Sequence, residues 1–327
     1  MVALVIASSL AGMLGNSSPL PPGVRLDPTP IRLVGSRVPE FAEGVKVDPR
    51  VTYYSDYRVR VRVGGQTVWL ERPNNRGLYR VKFFGPDGSF LYRYRGYSWV
   101  DGREFIWHRG KTKEILEPSR GGFDTTWYLD RDNFGGETVE DVGPRDYPLS
   151  HPRIFEYKKG KFRWIGYGRT IHRSKGGSIV ASLALFESGE PAGLNMGEKF
   201  LNRVYSPTKS PRDFEQVVGP SSDGYVGLIQ GKKLSVWRDG TIEREYDIDS
   251  VKPIGVGKGG AWYYRHASGQ MLRVLNQIAR PVQLVVGGKV LPYRNGTKPS
   301  FYCDWNGTYA KIYWMDKDEN RYVFEPM

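Results

Sequence analysis

Apolar and polar residues alternate over short runs along most of this chain. Tyr57-Arg-Val-Arg-Val-Arg-Val63 alternates strictly. A period of two puts its valines on one face of a strand and Arg58, Arg60 and Arg62 on the other. Gly64-Gly65 then turns the chain into a second run, Thr67–Leu70. Similar runs predict strands at 78–84, 90–94, 105–107, 114–116, 153–157, 162–165 and 178–186. Turn signals separate them at Pro86-Asp87-Gly88, Gly110, Lys159-Gly160 and Ser188-Gly189. The last third is the most regular, with short strands predicted from Tyr225–Ile229 to Tyr322–Phe324. Helical periodicity is poor. Gly197–Arg203 is the best two-turn candidate, and 118–150 and 188–214 read as long loops.

Comparable strands begin near Tyr225, Ala261 and Thr308. Strand sets of four at roughly 40-residue steps predict an all-β chain, a β-propeller with six or seven irregular blades. A pair of β-sandwiches is the alternative, because turn spacing alone does not separate the two. Residues 46–327 are expected to form one propeller-like domain, and residues 1–45 a signal-like segment and linker.

A local motif repeats within these strands. Phe105-Ile-Trp107-His-Arg-Gly110 and Ser235-Val-Trp237-Arg-Asp-Gly240 share apolar–Trp–x–x–Gly, and Asp223-Gly-Tyr-Val-Gly227 precedes the second copy. The pattern resembles the short repeats of the HAF-type extracellular β-propeller family, which read Gly-x-Val-Gly, then Phe-x-Trp-x-x-Gly, then Leu. The His-Ala-Phe core of that repeat is absent here. The resemblance implies a secreted propeller and carries over no catalytic residue.

Composition agrees with many strands. Glycine accounts for 40 of 327 residues and aromatics for 13%, a mix that favours strands and tight turns over helices. A single cysteine, Cys303, excludes an intrachain disulfide framework and multi-cysteine metal sites. The start, Met1–Gly15, is an apolar and small-residue run about as long as a signal-peptide core and too short to span a bilayer. Asn16–Pro30 reads as a Ser/Pro/Gly-rich linker. A secreted or extracytoplasmic location is therefore expected, with no transmembrane segment. The sequons at Asn16, Asn295 and Asn306 matter only in a host that glycosylates.

The net charge of +13 is unevenly spread. Residues 58–120 hold 14 basic and 6 acidic side chains, and 151–175 hold 8 and 1, whereas 121–150 hold 7 acidic and 2 basic. Basic surfaces draw polyanions. Same-face residues on a strand lie about 7 Å apart, so Arg58, Arg60 and Arg62 make a row near the spacing of successive phosphates or uronates. Arg93 and Arg95 alternate with Tyr92 and Tyr94, and Lys161 and Arg163 with Phe162 and Trp164. Cations beside aromatics suit acidic polysaccharide or single-stranded nucleic acid. No specific nucleic-acid motif accompanies them, which favours an acidic glycan or another polyanion as partner.

The acidic stretch offers other chemistry. Asp130-Arg-Asp132-Asn-Phe-Gly135, with Asp141 as a twelfth position, approximates a calcium loop, and Asp316–Asn320 offers a second Asp-x-Asp-x-Asn. No cofactor is expected, and calcium is the alternative these stretches offer. Asp124, Asp130, Asp132, Glu137, Glu140 and Asp141 could supply the paired carboxylates of a glycosidase. His108, His151, His172 and His266 show no metal-ligand spacing, and no nucleotide loop or nucleophile elbow is present. The expectation is a binding or interaction module for acidic or carbohydrate ligands. The alternatives are a carbohydrate-active hydrolase or lyase on the same fold, and a structural component of an extracellular assembly.

Overall fold

The computed structural model describes residues 20–37, 48–54, 57–71, 78–95, 103–115, 123–141, 150–192, 197, 199–266, 269–291, 300–303, 310–315 and 321–327. Only the backbone is described at 95, 123, 139–141, 150–151, 300–303, 315 and 321. Met1–Gly15, the three sequon asparagines and Asp316–Asn320 lie outside the described residues. The described chain is all-β, apart from one short 3-10 turn at Lys258–Gly260. Its strands form small up-and-down sheets in chain order, the blade architecture of a β-propeller. A pair of sandwiches would instead gather distant strands into larger facing sheets. Contacts divide the chain into two compact units.

One unit spans Glu40–Arg173 and Val180–Tyr205. Its first sheet is Val51–Tyr53, Val59–Val63 and Gln66–Leu70, and its second is Leu78–Phe84, Phe90–Arg95, Arg103–His108 and Lys111–Ile115. The third sheet is Phe123–Asp130, Asn133–Asp141, Ser150–Lys158 and Lys161–Tyr167. Arg169–Arg173, Ile179–Leu185 and Lys199–Tyr205 follow in a fourth. Alternation explains the packing. Val59 and Val61 are buried against Phe90, Tyr92 and Trp107 of the next sheet, while Arg62 stays exposed. Leu91, Ile106 and Ile115 meet Tyr128, Phe134, Phe155 and Tyr157 in the following seam.

Two expectations in this unit are corrected. The stretch 118–150 contains two long strands turning at Arg131-Asp132, not one loop. Its glycines hid the pattern: a Cβ at Gly135 would collide with Trp127, and one at Gly136 with the Asp124 carbonyl. Lys199–Tyr205 is a strand, not a helix. Seven residues are too few for a helix to hold without strong packing on one face.

The other unit spans Met1–Pro39, Ser174–Ile179 and Ser206–Met327. It holds a fifth sheet, Gln216–Val218, Val226–Gln230, Lys233–Arg238 and Thr241–Asp247. A sixth is Pro253–Val256, Trp262–Arg265, Met271–Leu275 and Ile278–Val286. The strands near Tyr225 and Ala261 are thus second strands of their sheets, each preceded by another short one. Ser300–Cys303, Ala310–Met315 and Arg321–Phe324 form a seventh set. Ile31–Arg37 completes it, although it falls within the segment expected as leader and linker. Gly35–Arg37 pairs antiparallel with Tyr322–Phe324, and Ile31–Val34 pairs parallel with Val282–Val285, joining the sixth and seventh sets. A side chain at Gly35 would strike the Phe324 ring and the Val323 carbonyl, so glycine permits that closure.

The two Trp motifs occupy equivalent places. Trp107 and Trp237 sit on the third strands of the second and fifth sheets, both buried. Each strand ends in a two-residue turn with positive φ at both positions, Arg109-Gly110 and Asp239-Gly240. Such turns match strand twist, and glycine takes the second position without strain.

Candidate functional site

The first sheet presents the basic face expected from alternation. Arg60 stands directly opposite Trp69 across the ladder, and Arg62 opposite Thr67. Trp69 is 44% exposed, although it is a large aromatic. Its ring lies 5.5 Å from Tyr54, with the Arg58 guanidinium 5.4 Å from its centroid. The Arg60 guanidinium sits 5.8 Å from the Tyr54 ring and donates to Thr52 Oγ1 at 3.2 Å. The exposed Trp69 ring and the half-buried Tyr54 ring, tilted 36° to each other, make an aromatic surface framed by guanidinium groups. Stacking and charge can act together there on an anionic ligand.

The remaining cations of the expected set are differently placed. Arg93 donates to Asp124 Oδ1 at 2.8 Å, and Arg163 to Glu156 Oε2 at 2.9 Å. Lys161 is exposed at the start of the last strand of the third sheet. Arg95 ends a strand of the second sheet, and its side chain lies outside the described residues. Arg93 and Arg163 are thus each tied to a carboxylate, on the second and third sheets respectively.

Asp130, Asp132 and Asp141 are not brought together. Asp130 Oδ1 accepts the Asp132 N–H at 2.8 Å, and its carboxylate accepts the Asn133 amide as well, so it caps its own turn. Asp132 pairs with Arg131. Asp141 ends the nine-residue strand that starts at Asn133, roughly 26 Å away at 3.3 Å per residue. Among the described residues no group of three His, Cys, Asp or Glu side chains could hold a metal ion.

The acidic strands contribute instead to a buried charge network. Glu104, fully buried, accepts from Lys82 Nζ at 3.0 Å and from the Thr125 hydroxyl. Lys82 also reaches Asp124 and the Thr125 carbonyl. Burial works to raise the Asp124 carboxyl, but the charges and hydrogen bonds of Lys82 and Arg93 outweigh it and hold it below its ordinary range. Glu137 is the cross-strand partner of Asp124. Burial pushes its carboxyl up to about 7, against the opposing Thr170 N–H and Arg169 charge. One hairpin thus carries a carboxylate that stays ionised beside a carboxyl that holds its proton near neutrality.

Sequence reasoning did not single out Glu104 or Lys82. The signal was present: in Arg103–His108 the period of two puts Glu104 on the face of Ile106, and a buried carboxylate requires a cation.

Comparison with known proteins adds little to this picture. No family model matches the chain, and no curated protein matches it. Solved structures similar to it include YCF48 from Cyanidioschyzon merolae, at 13% identity and TM-score 0.37, covering 88% of this chain and 98% of that one. The C-terminal WD40 domain of Sif2 matches at 10% identity and TM-score 0.32, covering 90% and 95%. The WD40 β-propeller domain of Doa1 matches at 13% and 0.25, covering 95% and 96%. At TM-scores this low, the fold assignment rests on the chain's own succession of sheets.

Proposed function

We propose that this protein is a secreted or surface interaction module of the β-propeller class, and that it binds an acidic ligand on the first sheet. The observation that carries the reading is the exposed Trp69 ring framed by Tyr54, Arg58 and Arg60. The apolar start of the chain supports export. The basic surplus of residues 58–120 supports a polyanion, and the stacking ring supports one with flat or ring-shaped units. A glycan array with purified protein should retain acidic glycans over neutral ones. Replacing Arg58, Arg60 and Arg62 with serine should abolish that retention. Retention of neither class by the native protein would sink the reading.

Asp124 and Glu137 favour a second reading, a carbohydrate-active hydrolase. Carboxyl groups whose environments separate their protonation are the signature of an acid and its ionised partner. Glu137 would donate the proton to the leaving oxygen. Glu137→Gln should then abolish turnover of any glycoside that the native protein cleaves. Undiminished turnover would end this reading.

A further inference from the structure

A second aromatic–cation platform lies on the third sheet, at residues the proposed function does not use. Trp164 and Tyr167 sit three positions apart on Lys161–Tyr167, a spacing that normally sends side chains to opposite faces. The ladder skips Ile165: Ile154 pairs with Gly166, and Phe155 with Trp164. This bulge re-aims the strand, so that both rings come to the same guanidinium. Arg153 lies 4.2 Å from the Trp164 centroid and 5.6 Å from that of Tyr167. The rings remain 37% and 38% exposed. The backbone beneath is pinned by the Tyr205 hydroxyl donating to the Tyr167 carbonyl at 2.5 Å and by the Gly168 N–H donating to Pro152 at 2.8 Å. The hollow beside Tyr167, lined by Pro152, Gly168 and Leu183, is too small for a sugar ring, so a ligand must lie across the platform.

We propose that Arg153, Trp164 and Tyr167 form a second subsite for a uronate residue, and that the partner is a polyuronate chain. The proposal rests on the acidic-ligand reading of the first sheet and names its chemistry. In a nucleotide the phosphate is separated from the stacking base by the sugar. In a uronate the carboxylate sits on the stacking ring itself. An arginine in direct contact with the ring it serves therefore suits the uronate, whose carboxylate a planar guanidinium can grip with two bonds. The surrounding charge is complementary, with 8 basic side chains and 1 acidic over residues 151–175.

The test is titration calorimetry of the full chain with oligogalacturonate, its methyl-esterified form, and single-stranded oligothymidylate. The native protein should bind the free acid and not the ester. Trp164→Ala with Tyr167→Ala should weaken binding about tenfold, the loss typical of one stacking contact. Arg153→Lys keeps the charge and loses the planar grip, and should weaken binding as well. Thermal melts of each variant separate loss of binding from loss of fold, with the conservative Arg153→Lys change deciding if the double variant melts early. Binding weakened by Trp69→Ala but not by these variants would overturn the second subsite and leave the first-sheet reading standing. Binding weakened by these variants and not by Trp69→Ala would do the reverse. Binding of oligothymidylate in place of oligogalacturonate would overturn the uronate assignment while keeping an acidic ligand.

Discussion

Between the second and third sheets a fully buried carboxylate, Glu104, is held by Lys82 and Thr125. The core around Trp262 buries polar atoms as well, but leaves them without such ties. The Tyr246 and Tyr264 hydroxyls and the Trp262 Nε1 have no hydrogen-bond partner among the described residues, although each tyrosine ring packs within 5.5 Å of the Trp262 ring. In the first region a buried charge network joins strands of two sheets beside their apolar contacts. In the second, aromatic packing and apolar area hold the strands, and these three residues add no side-chain hydrogen bond among the described residues.

The largest effect should come from breaking the charged seam on one side only. Lys82→Met strands Glu104 in a buried position and should cost about 3–5 kcal/mol in denaturant unfolding. Adding Glu104→Leu should recover much of that loss. A double variant as unstable as the single one would show that packing, not charge, holds the seam.

The next effect is a pH dependence. Glu137 binds its proton more tightly in the fold than the ordinary value of 4.5, up to about 7. The native state therefore holds more protons than the unfolded state between those values. Stability should fall as pH rises through that window, by at most about 3 kcal/mol. Glu137→Gln should remove this slope. Asp124 acts in the opposite sense, because its carboxyl is held low and its contribution is lost as pH falls. Urea midpoints measured from about pH 2 to 8 read both, because the Asp124 window lies below its ordinary value of 3.8. A flat profile in the native protein would show that Glu137 ionises freely.

The apolar region should respond least. Tyr264→Phe removes a buried hydroxyl that has no partner among the described residues, so unfolding free energy should stay within about 0.5 kcal/mol or rise. A loss above about 1 kcal/mol would reveal an ordered partner for that hydroxyl, and the contrast between the regions would narrow. Replacing Arg62 with serine should be similarly mild, since the residue is exposed.

Legibility followed local pattern. Leu78–Phe84 and Tyr322–Phe324 were readable almost to the residue, because alternation needs no distant partner. Phe123–Asp130 was not. Two threonines and a bulge between Thr125 and Trp127 break its alternation, and the acids beside it resemble a solvated loop. Arg58, Arg60 and Arg62 were readable as a face, whereas the pairing of Arg93 with Asp124 joins residues 31 apart in sequence and leaves no local trace. The same holds for Trp164 and Tyr167, whose shared face depends on one skipped ladder position.

What the sequence alone determined is the all-β character, the glycine-marked turns and the outward row of arginines. Each follows from a period of two and from backbone conformations that only certain residues adopt. Tertiary structure decided the rest. It used Ile31–Arg37 to complete a sheet with strands nearly 300 residues away, it tied Arg93 to Asp124 and Lys82 to Glu104, and it left Trp69 and Trp164 exposed. Burial and pairing depend on which strands become neighbours, and that choice is made by packing summed over the whole chain, which no local window contains.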